Sequence, residues 1–419
     1  MKHIVTSHKN NHDSGVYSIC SAHPLVIKAA MLYELNSDKN VLIEATSNQV
    51  NQFGGYTGMT PKDFVLYVAK LAAEIDFPME RVTLGGDHLG PNCWQKEPAH
   101  DAMEKSKVLI EEYIKAGFTK IHLDASMSCA DDPVPLDPIV VAQRAAILCK
   151  VAETHATIEQ KAQLTYVIGT EVPVPGGESH EIETVQVTEV ENVKNTIDTH
   201  LEAFVKIGIT EAVSRIVGIV VQPGVEFDHN KIIRFDRSKV TEISKFIEDT
   251  VWVYEAHSTD YQTENHLKEL VQSHFAILKV GPALTFSLRE ALFALAEIEE
   301  QLVEPEKLSQ FMKVVDSVLL DDEKYWKPYY NGKHSSTMLN LHFSFSDRIR
   351  YYWTDPRIQK ALDKMSSNID EVGIPLSILS QYMPNQYQKV ISGTLALDTT
   401  SLVLDKIGEI VGQYSRACD

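Results

Sequence analysis

The sequence has no apolar stretch long enough to span a bilayer, few cysteines and a deficit of basic residues, and each shortage excludes a class of protein. Residues Met1–His3 lead into polar residues rather than a signal-peptide core, so we expect a cytoplasmic protein. The five cysteines form no CxxC pair, which argues against a disulfide framework and a thiolate zinc site. Lys and Arg total 39 against 58 for Asp and Glu, without any basic block, so neither nucleic acid nor a membrane is expected as a partner.

The familiar nucleotide and protease motifs are also missing. The chain contains no Walker motif, no Rossmann glycine fingerprint and no HExxH segment. Nucleotide chemistry therefore has no support in the sequence.

Eight short apolar runs, each closing on a polar residue, recur along the first 280 residues. They are Val16–Cys20, Val41–Thr46, a run closing on Gly85–His88, Lys120–Asp124, Tyr166–Glu171, Ile216–Gln222, Val251–His257 and Phe275–Gly281. The stretches between them are long enough for a helix and two loops, which is the pattern of a (β/α)8 TIM barrel. In that fold, chemistry is built on the loops that leave the C-terminal strand ends.

The alternation of strand and helix patterns ends at Glu304-Pro305, and only helical patterns follow it. A chain of 419 residues exceeds one typical domain, yet barrels often run past 250 residues as a single unit. We therefore expect a barrel over residues 1–305 and a helical extension over 306–419 packed on it.

Polar residues at the third and fourth strand ends are candidates for catalysis. Asp87 and His88 follow strand three, where the imidazole could bind a divalent metal and the carboxylate could act as acid or base. The plain alternative is a hydrogen-bonded pair that fixes the loop. Asp124 shares one face of strand four with His122, and that pair is either structural or brings Asp124 into the site.

Further candidates follow strands five to seven. Glu171 precedes a stiff loop over Val172–Gly177 and suits a rigid site wall, or else a salt bridge that closes the barrel. Glu226 and His229 can ligate a metal, although so charged a loop is often only solvated. His257 ends strand seven and is a third candidate ligand.

The segment after strands seven and eight predicts an anion or substrate site. Barrels frequently seat a phosphate at the turn and helix N-terminus in this region. Lys279 more often anchors an anion or a carboxylate than forms a Schiff base with a ketose. The candidate phosphate-binding or substrate-binding residues are Ser258, Lys279, Gly281 and Thr285.

Long motifs in fixed order resemble the GatZ/KbaZ family, the Z-type subunit of D-tagatose-1,6-bisphosphate aldolase. The motifs are Gln52–Thr60, Gly85–Asn92, His122–Cys129, Gly169–Gly177, Val220–His229, Tyr254–Gln262, Leu278–Phe286, Asp347–Trp353 and Ser380–Pro384.

The resemblance implies a non-catalytic partner. Z subunits associate with a zinc-dependent class II Y subunit, which cleaves tagatose 1,6-bisphosphate to glycerone phosphate and glyceraldehyde 3-phosphate, and they support its activity and stability. No cofactor is then required by this chain. The segment Cys20–His23 favours the galactitol branch over the N-acetylgalactosamine branch.

Comparison with the motif order of class II aldolases gives a physical check. Asp87, His88 and His257 match that order, but Gln222 stands where strand six should supply a histidine. Glutamine is a poor zinc ligand, so a three-histidine site is broken unless Glu226 or His229 reaches back.

Two alternatives remain open. One is a metal-dependent ketose or ketose-phosphate 4-epimerase, interconverting tagatose 6-phosphate and fructose 6-phosphate by retro-aldol cleavage and re-addition. It would use a divalent metal such as Zn bound by His88, Glu171 or Glu226, and His257. The other is a regulatory module that binds a phosphosugar ligand without a metal.

Overall fold

Eight parallel strands close into a barrel in the computed structural model, which describes residues 1–172, 182–330 and 334–419. Around the barrel the strands follow the order β1, β2, β3, β4, β5, β6, β9, β10 and back to β1. The predicted (β/α)8 barrel is confirmed. The strands are β1 (Val16–Ile19), β2 (Val41–Thr46), β3 (Val82–Leu89), β4 (Lys120–Leu123), β5 (Thr165–Ile168), β6 (Ile216–Val220), β7 (Glu226–Phe227), β8 (Ile232–Ile233), β9 (Val253–Ala256) and β10 (Ile277–Val280).

Helices surround the barrel and make up most of the chain after its last strand. They are α1 (Lys2–Asn11), α2 (Pro24–Glu34), α3 (Pro61–Ala73), α4 (Ala99–Ala116), α5 (Pro138–His155), α6 (Ile158–Gln163), α7 (Val190–Lys206), α8 (Thr210–Val213), α9 (Thr241–Glu248), α10 (Glu264–Gln272), α11 (Pro282–Leu302), α12 (Phe311–Asp321), α13 (His334–Phe343), α14 (Pro356–Val372), α15 (Leu376–Tyr382), α16 (Pro384–Ile391) and α17 (Thr399–Ala417). None of these helices, in the part of the chain that is described, combines the length and apolarity of a membrane span.

Local capping chemistry begins the barrel helices where the sequence predicts. Thr60 and Asp63 form a reciprocal capping box, and Pro61 occupies the first turn of α3. Asp137 caps α5 with a single hydrogen bond, since its carboxylate accepts from the Ile139 amide, and Pro138 occupies the first turn.

The barrel interior divides into an apolar layer and an ionic layer. Near the N-terminal strand ends, Val5 of α1 belongs to one buried cluster with Val217, Val253 and Ile277, so α1 lies across that end. Two residues further along β10, the inward side chain is Lys279, because alternate residues of a strand share a face. The charged side chains therefore gather at the C-terminal end, where barrel chemistry is built.

The helices after α11 pack on the barrel rather than forming a detached unit. Helix α17 contacts α2, α10 and α11, and the Tyr414 hydroxyl donates to the Thr259 carbonyl oxygen at 2.7 Å. Some elements were not predicted: α1, the β7–β8 hairpin, α15 and α16 are all short or weakly periodic. The extension also contains a 3-10 turn, Arg348–Tyr351, after α13.

Candidate functional site

A cavity of about 1040 Å³ opens at the C-terminal end of the barrel. Strand-end residues form its floor, and residues from the C-terminal extension form one wall. The candidates His88, His257, Ser258, Gly281 and Thr285 all line it, as do Asp87 and Lys279.

Two buried lysines and three carboxylates lie at and beneath the floor, and we call this group the ionic cluster (Glu44, Asp87, Lys120, Glu255 and Lys279). Lys120 Nζ lies 2.5 Å from Glu44 Oε1 and 2.7 Å from Glu255 Oε2, with all three side chains fully buried. Lys279 Nζ lies 2.8 Å from Glu44 Oε2 and 3.7 Å from Glu255 Oε1, and it also pairs with Asp87. Buried charges are tolerated only when paired, and here each carboxylate has an ammonium partner.

The charges fix the protonation states of the cluster. Burial alone would raise the pKa of Asp87, but the charges of His88 and Lys279 hold that pKa well below its usual range. Burial opposes a charged lysine, yet Asp87 and Glu44 raise the pKa of Lys279 well above its usual value. Lys279 is therefore an ammonium group and not a free amine, which removes the nucleophile that a Schiff base requires.

Three imidazoles meet above the ionic cluster. The ring centroids of His88, His122 and His257 lie 5.1 Å (His88 to His122), 5.0 Å (His88 to His257) and 5.3 Å (His122 to His257) apart. The sequence comparison considered a third imidazole only from strand six, whereas His122 comes from β4, the neighbour of β3. Gln222 does sit at the end of β6, where its side-chain oxygen accepts from the Gly224 and Val225 amides.

The histidines differ in charge although they lie close together. Burial would lower the pKa of His88, but Asp87 and Asp124 raise it, and Asp124 Oδ2 lies 2.7 Å from His88 Nδ1. Burial, with the nearby Lys279 charge, lowers the pKa of His257 to about 3. His257 thus stays neutral at pH 7, and His88 is the ring of the two that takes up a proton first as the pH falls.

Metal-capable atoms are present at this floor. One ligand atom from each of Asp87, His122, Glu255 and His257 lies within 4.8 Å of the other three. His122 Nε2 is buried and has no hydrogen-bond partner in the described part of the chain. Lysine already neutralises the carboxylates of Asp87 and Glu255. These four side chains could therefore bind a divalent cation only if Lys279 moved away.

Three of the candidates lie apart from this floor. His229 points both ring nitrogens at the C-terminal extension, with Nδ1 3.1 Å from Ser346 Oγ and Nε2 3.0 Å from the Tyr329 carbonyl oxygen. Glu226 Oε1 accepts from the Phe227 amide in the β7–β8 hairpin. Glu171 is exposed and accepts hydrogen bonds from Thr188 and Asn192; the stiff loop predicted after it lies, from residue 173, outside the described residues. Neither Glu226 nor His229 thus reaches back to complete a histidine site.

Carboxylates of the protein occupy part of the phosphate site that the sequence predicts after strand eight. Asp260 Oδ1 accepts from the Gly281 amide at 3.0 Å and the Ala283 amide at 2.8 Å. Thr285 Oγ1 donates to Asp347 Oδ2 at 2.6 Å. These donors face carboxylates, so the helix N-terminus after β10 is not open to an anion in this conformation.

The wall of the cavity carries arginines that the sequence did not single out. Arg348 is 3% exposed, its guanidinium lies 3.2 Å from the Tyr329 ring centroid, and its Nε and Nη2 have no hydrogen-bond partner among the residues that the structure describes. Arg350 donates from Nη2 to the Tyr351 hydroxyl at 3.0 Å. Among the described residues neither arginine has a carboxylate at ion-pair distance, so this wall presents positive charge to the cavity.

The chain matches a family model across its whole length. The model is described as D-tagatose-1,6-bisphosphate aldolase subunit GatZ/KbaZ-like, and it covers residues 1–419. The chain belongs to the GatZ/KbaZ-like family. This confirms the family that the sequence motifs predict.

Relatives of this GatZ/KbaZ-like chain share its full length. Proteins from Salmonella dublin and Salmonella enteritidis PT4, both named D-tagatose-1,6-bisphosphate aldolase subunit GatZ, are 56% identical over 418 residues, covering 100% of this chain and 99% of each relative. A crystal structure from Sinorhizobium meliloti 1021, described as a probable tagatose 6 phosphate kinase, is 45% identical with a TM-score of 0.89. The match covers 96% of this chain and all of that one.

Sequence reasoning missed Glu44, Lys120 and His122 as site residues of this GatZ/KbaZ-like chain. Period-two alternation in the run Lys120–Asp124 could have found Lys120 and His122, since both lie on the inward face. The arginines of the wall gave no local signal, because only the packing of the C-terminal extension brings them to the barrel mouth.

Proposed function

We propose that this chain is the Z-type subunit of D-tagatose-1,6-bisphosphate aldolase and supports a Y-type catalytic subunit. That partner cleaves tagatose 1,6-bisphosphate to glycerone phosphate and glyceraldehyde 3-phosphate. The observation that carries the proposal is the family match over residues 1–419, together with relatives of the same name at 56% identity. These names do not favour the 4-epimerase, and assignment to the galactitol branch stays a prediction.

The charge states of the residues at the cavity floor favour a non-catalytic, stabilising role for this chain. An ammonium group at Lys279 neutralises the carboxylates that would otherwise bind a metal, so the subunit needs no cofactor to balance their charge. The same ammonium group has no lone pair with which to attack a ketose carbonyl. A divalent cation such as Zn, if held by His122 and His257, would polarise a ketose carbonyl, and the ionic cluster would first have to open.

We further infer that the cavity binds a phosphorylated ketose. Its volume of about 1040 Å³ exceeds that of a hexose phosphate, and Arg348 and Arg350 bring guanidinium groups to its wall. Guanidinium groups recognise phosphate oxygens through paired N–H donors, and Arg348 has two that are unused. The Salmonella and Sinorhizobium names also share a phosphorylated tagatose.

The subunit role is tested by co-expression of this chain with a Y-type subunit. Co-purification should yield a complex, and the Y subunit should lose less activity on storage or heating inside it than alone. The lone chain should neither cleave tagatose 1,6-bisphosphate nor interconvert tagatose 6-phosphate and fructose 6-phosphate. Epimerisation by the lone chain, lost in His257→Ala, would replace the proposal with the 4-epimerase.

The ligand is tested by calorimetric titration with tagatose 6-phosphate and with unphosphorylated tagatose. Arg348→Met should weaken binding of the phosphate by about tenfold or more, which corresponds to roughly 1.4 kcal/mol, and leave tagatose binding unchanged. Arg357→Met is the matched control, because Arg357 lies in the same extension but pairs with Asp321 and Asp355 at the surface. Equal affinity of native protein and Arg348→Met for the phosphate would refute this ligand site.

A further inference from the structure

A second group of histidines lies at the opposite, N-terminal end of the barrel. His8 and His12 come from the end of α1, His274 precedes β10, and Glu248 is the last residue of α9. The ring centroids of His12 and His274 lie 4.8 Å apart, and those of His8 and His274 lie 5.2 Å apart. His8 and His274 are buried, while His12 is half-buried and Glu248 is exposed.

Hydrogen bonds in this group determine which nitrogen of His274 is protonated. The Ser14 carbonyl oxygen, which can only accept, lies 2.7 Å from His8 Nδ1, so His8 Nδ1 must donate to it. A neutral imidazole carries one proton, so the other nitrogen of His8, Nε2, is the acceptor. That acceptor lies 3.0 Å from His274 Nδ1, which must therefore donate.

The consequence is a lone pair on His274 Nε2. A neutral imidazole carries one proton, and in His274 that proton is on Nδ1, so the second nitrogen is unprotonated. A histidine fixed in one tautomer by a hydrogen bond to its other nitrogen is the arrangement found at protein metal sites. His8 is therefore a positioning residue for His274.

We propose that His12, His274 and Glu248 bind a divalent transition-metal ion such as Zn²⁺. One ligand atom from each of the three lies within 4.8 Å of the others. Ligands about 2.0–2.2 Å from a tetrahedral zinc ion lie roughly 3.5 Å apart, so the side chains need to close by about 1 Å. His12 and Glu248 have the surface exposure to move that far, and water completes the coordination.

The neighbouring Lys9 interacts electrostatically with Glu248, whose charge partly offsets the lowering of the Lys9 pKa by burial, but the Lys9 hydrogen bonds go to backbone oxygens. Lys9 Nζ donates to the backbone carbonyl oxygens of Ile247 at 2.7 Å and of Glu248 at 3.4 Å, rather than to the Glu248 carboxylate. A bound ion would join α1 to α9 and to the start of β10, and so hold the N-terminal helix across the barrel end. This proposal is independent of the proposed function.

The test is zinc binding by the full-length, untagged protein, measured as metal content after dialysis and as the shift of the thermal unfolding midpoint. His12→Ala and Glu248→Gln should each bind one zinc ion fewer than the native protein and lose the zinc-dependent rise of the midpoint. His100→Ala, which removes an exposed histidine elsewhere, should behave as native. His257→Ala should retain this zinc ion, which separates the site from the cavity floor.

Two results would overturn the proposal. One is an unchanged metal content and an unchanged midpoint shift in both His12→Ala and Glu248→Gln, with each variant folded by circular dichroism. The other is a native protein that retains no zinc and shows no zinc-dependent shift.

Discussion

Replacing Lys279 by methionine should destabilise the barrel strongly, because it leaves buried carboxylates without their cation. Lys279 is 4% exposed and pairs with Glu44, Asp87 and Glu255, while Lys120 alone remains to balance them. Removing one partner of a buried ion pair costs about 3–5 kcal/mol, since the uncompensated charge stays in a low-dielectric interior. Urea unfolding followed by circular dichroism should show a fall of that size in the free energy of unfolding.

A double variant separates charge imbalance from lost packing. Adding Glu44→Gln to Lys279→Met removes one stranded carboxylate, so the double variant should be more stable than Lys279→Met by about 0.5–3 kcal/mol. Lys389→Met breaks a surface pair with Asp405 and should move the unfolding midpoint by a small fraction of the Lys279 effect. The reasoning fails if Lys279→Met unfolds within about 1 kcal/mol of the native protein, or if Glu44→Gln destabilises it further.

Three further outcomes are expected. Gly90→Ala should abolish or greatly reduce soluble expression, because a Cβ there would lie 1.7 Å from a backbone carbonyl oxygen. A Cβ at Gly408 would meet no described atom within 4 Å, so Gly408→Ala should stabilise α17 by about 1 kcal/mol in thermal unfolding. Histidine NMR titration should give His88 a midpoint above pH 6.5, whereas His257 should stay neutral down to about pH 3. Because the pKa of His88 is raised in the folded protein, its stabilising contribution should be complete below pH 6.5 and decline as the pH rises through that folded pKa. Equal midpoints for the two rings would refute this. Borohydride reduction with tagatose 6-phosphate should add no sugar mass at Lys279, and a trapped adduct seen by mass spectrometry would contradict its ammonium state.

The barrel and the position of its polar face were predictable because they follow local rules. Apolar runs of strand length separated by helical patterns determine a (β/α)8 fold, and parallel strands bring their C-terminal ends to one face. Asp87, His88 and His257 therefore meet in the cavity as their places at strand ends predict.

The rest depended on contacts between distant segments. The sequence predicts a pair between His122 and Asp124. In the structure the Asp124 carboxylate lies against the His88 ring, and the His122 ring lies beside those of His88 and His257. His229 is a residue type that can bind metal, and it was therefore a candidate ligand. Its ring nitrogens instead lie against Ser346 and Tyr329 of the C-terminal extension, which are 117 and 100 residues away in the sequence.

The most direct test of the supporting role is the initial rate of tagatose 1,6-bisphosphate cleavage at a fixed concentration of Y-type subunit, as this chain is titrated in. The account predicts a rate that rises and reaches a plateau at a fixed stoichiometry, with no cleavage when the Y subunit is omitted. A rate that stays flat, or one that is proportional to this chain in the absence of the Y subunit, would contradict it.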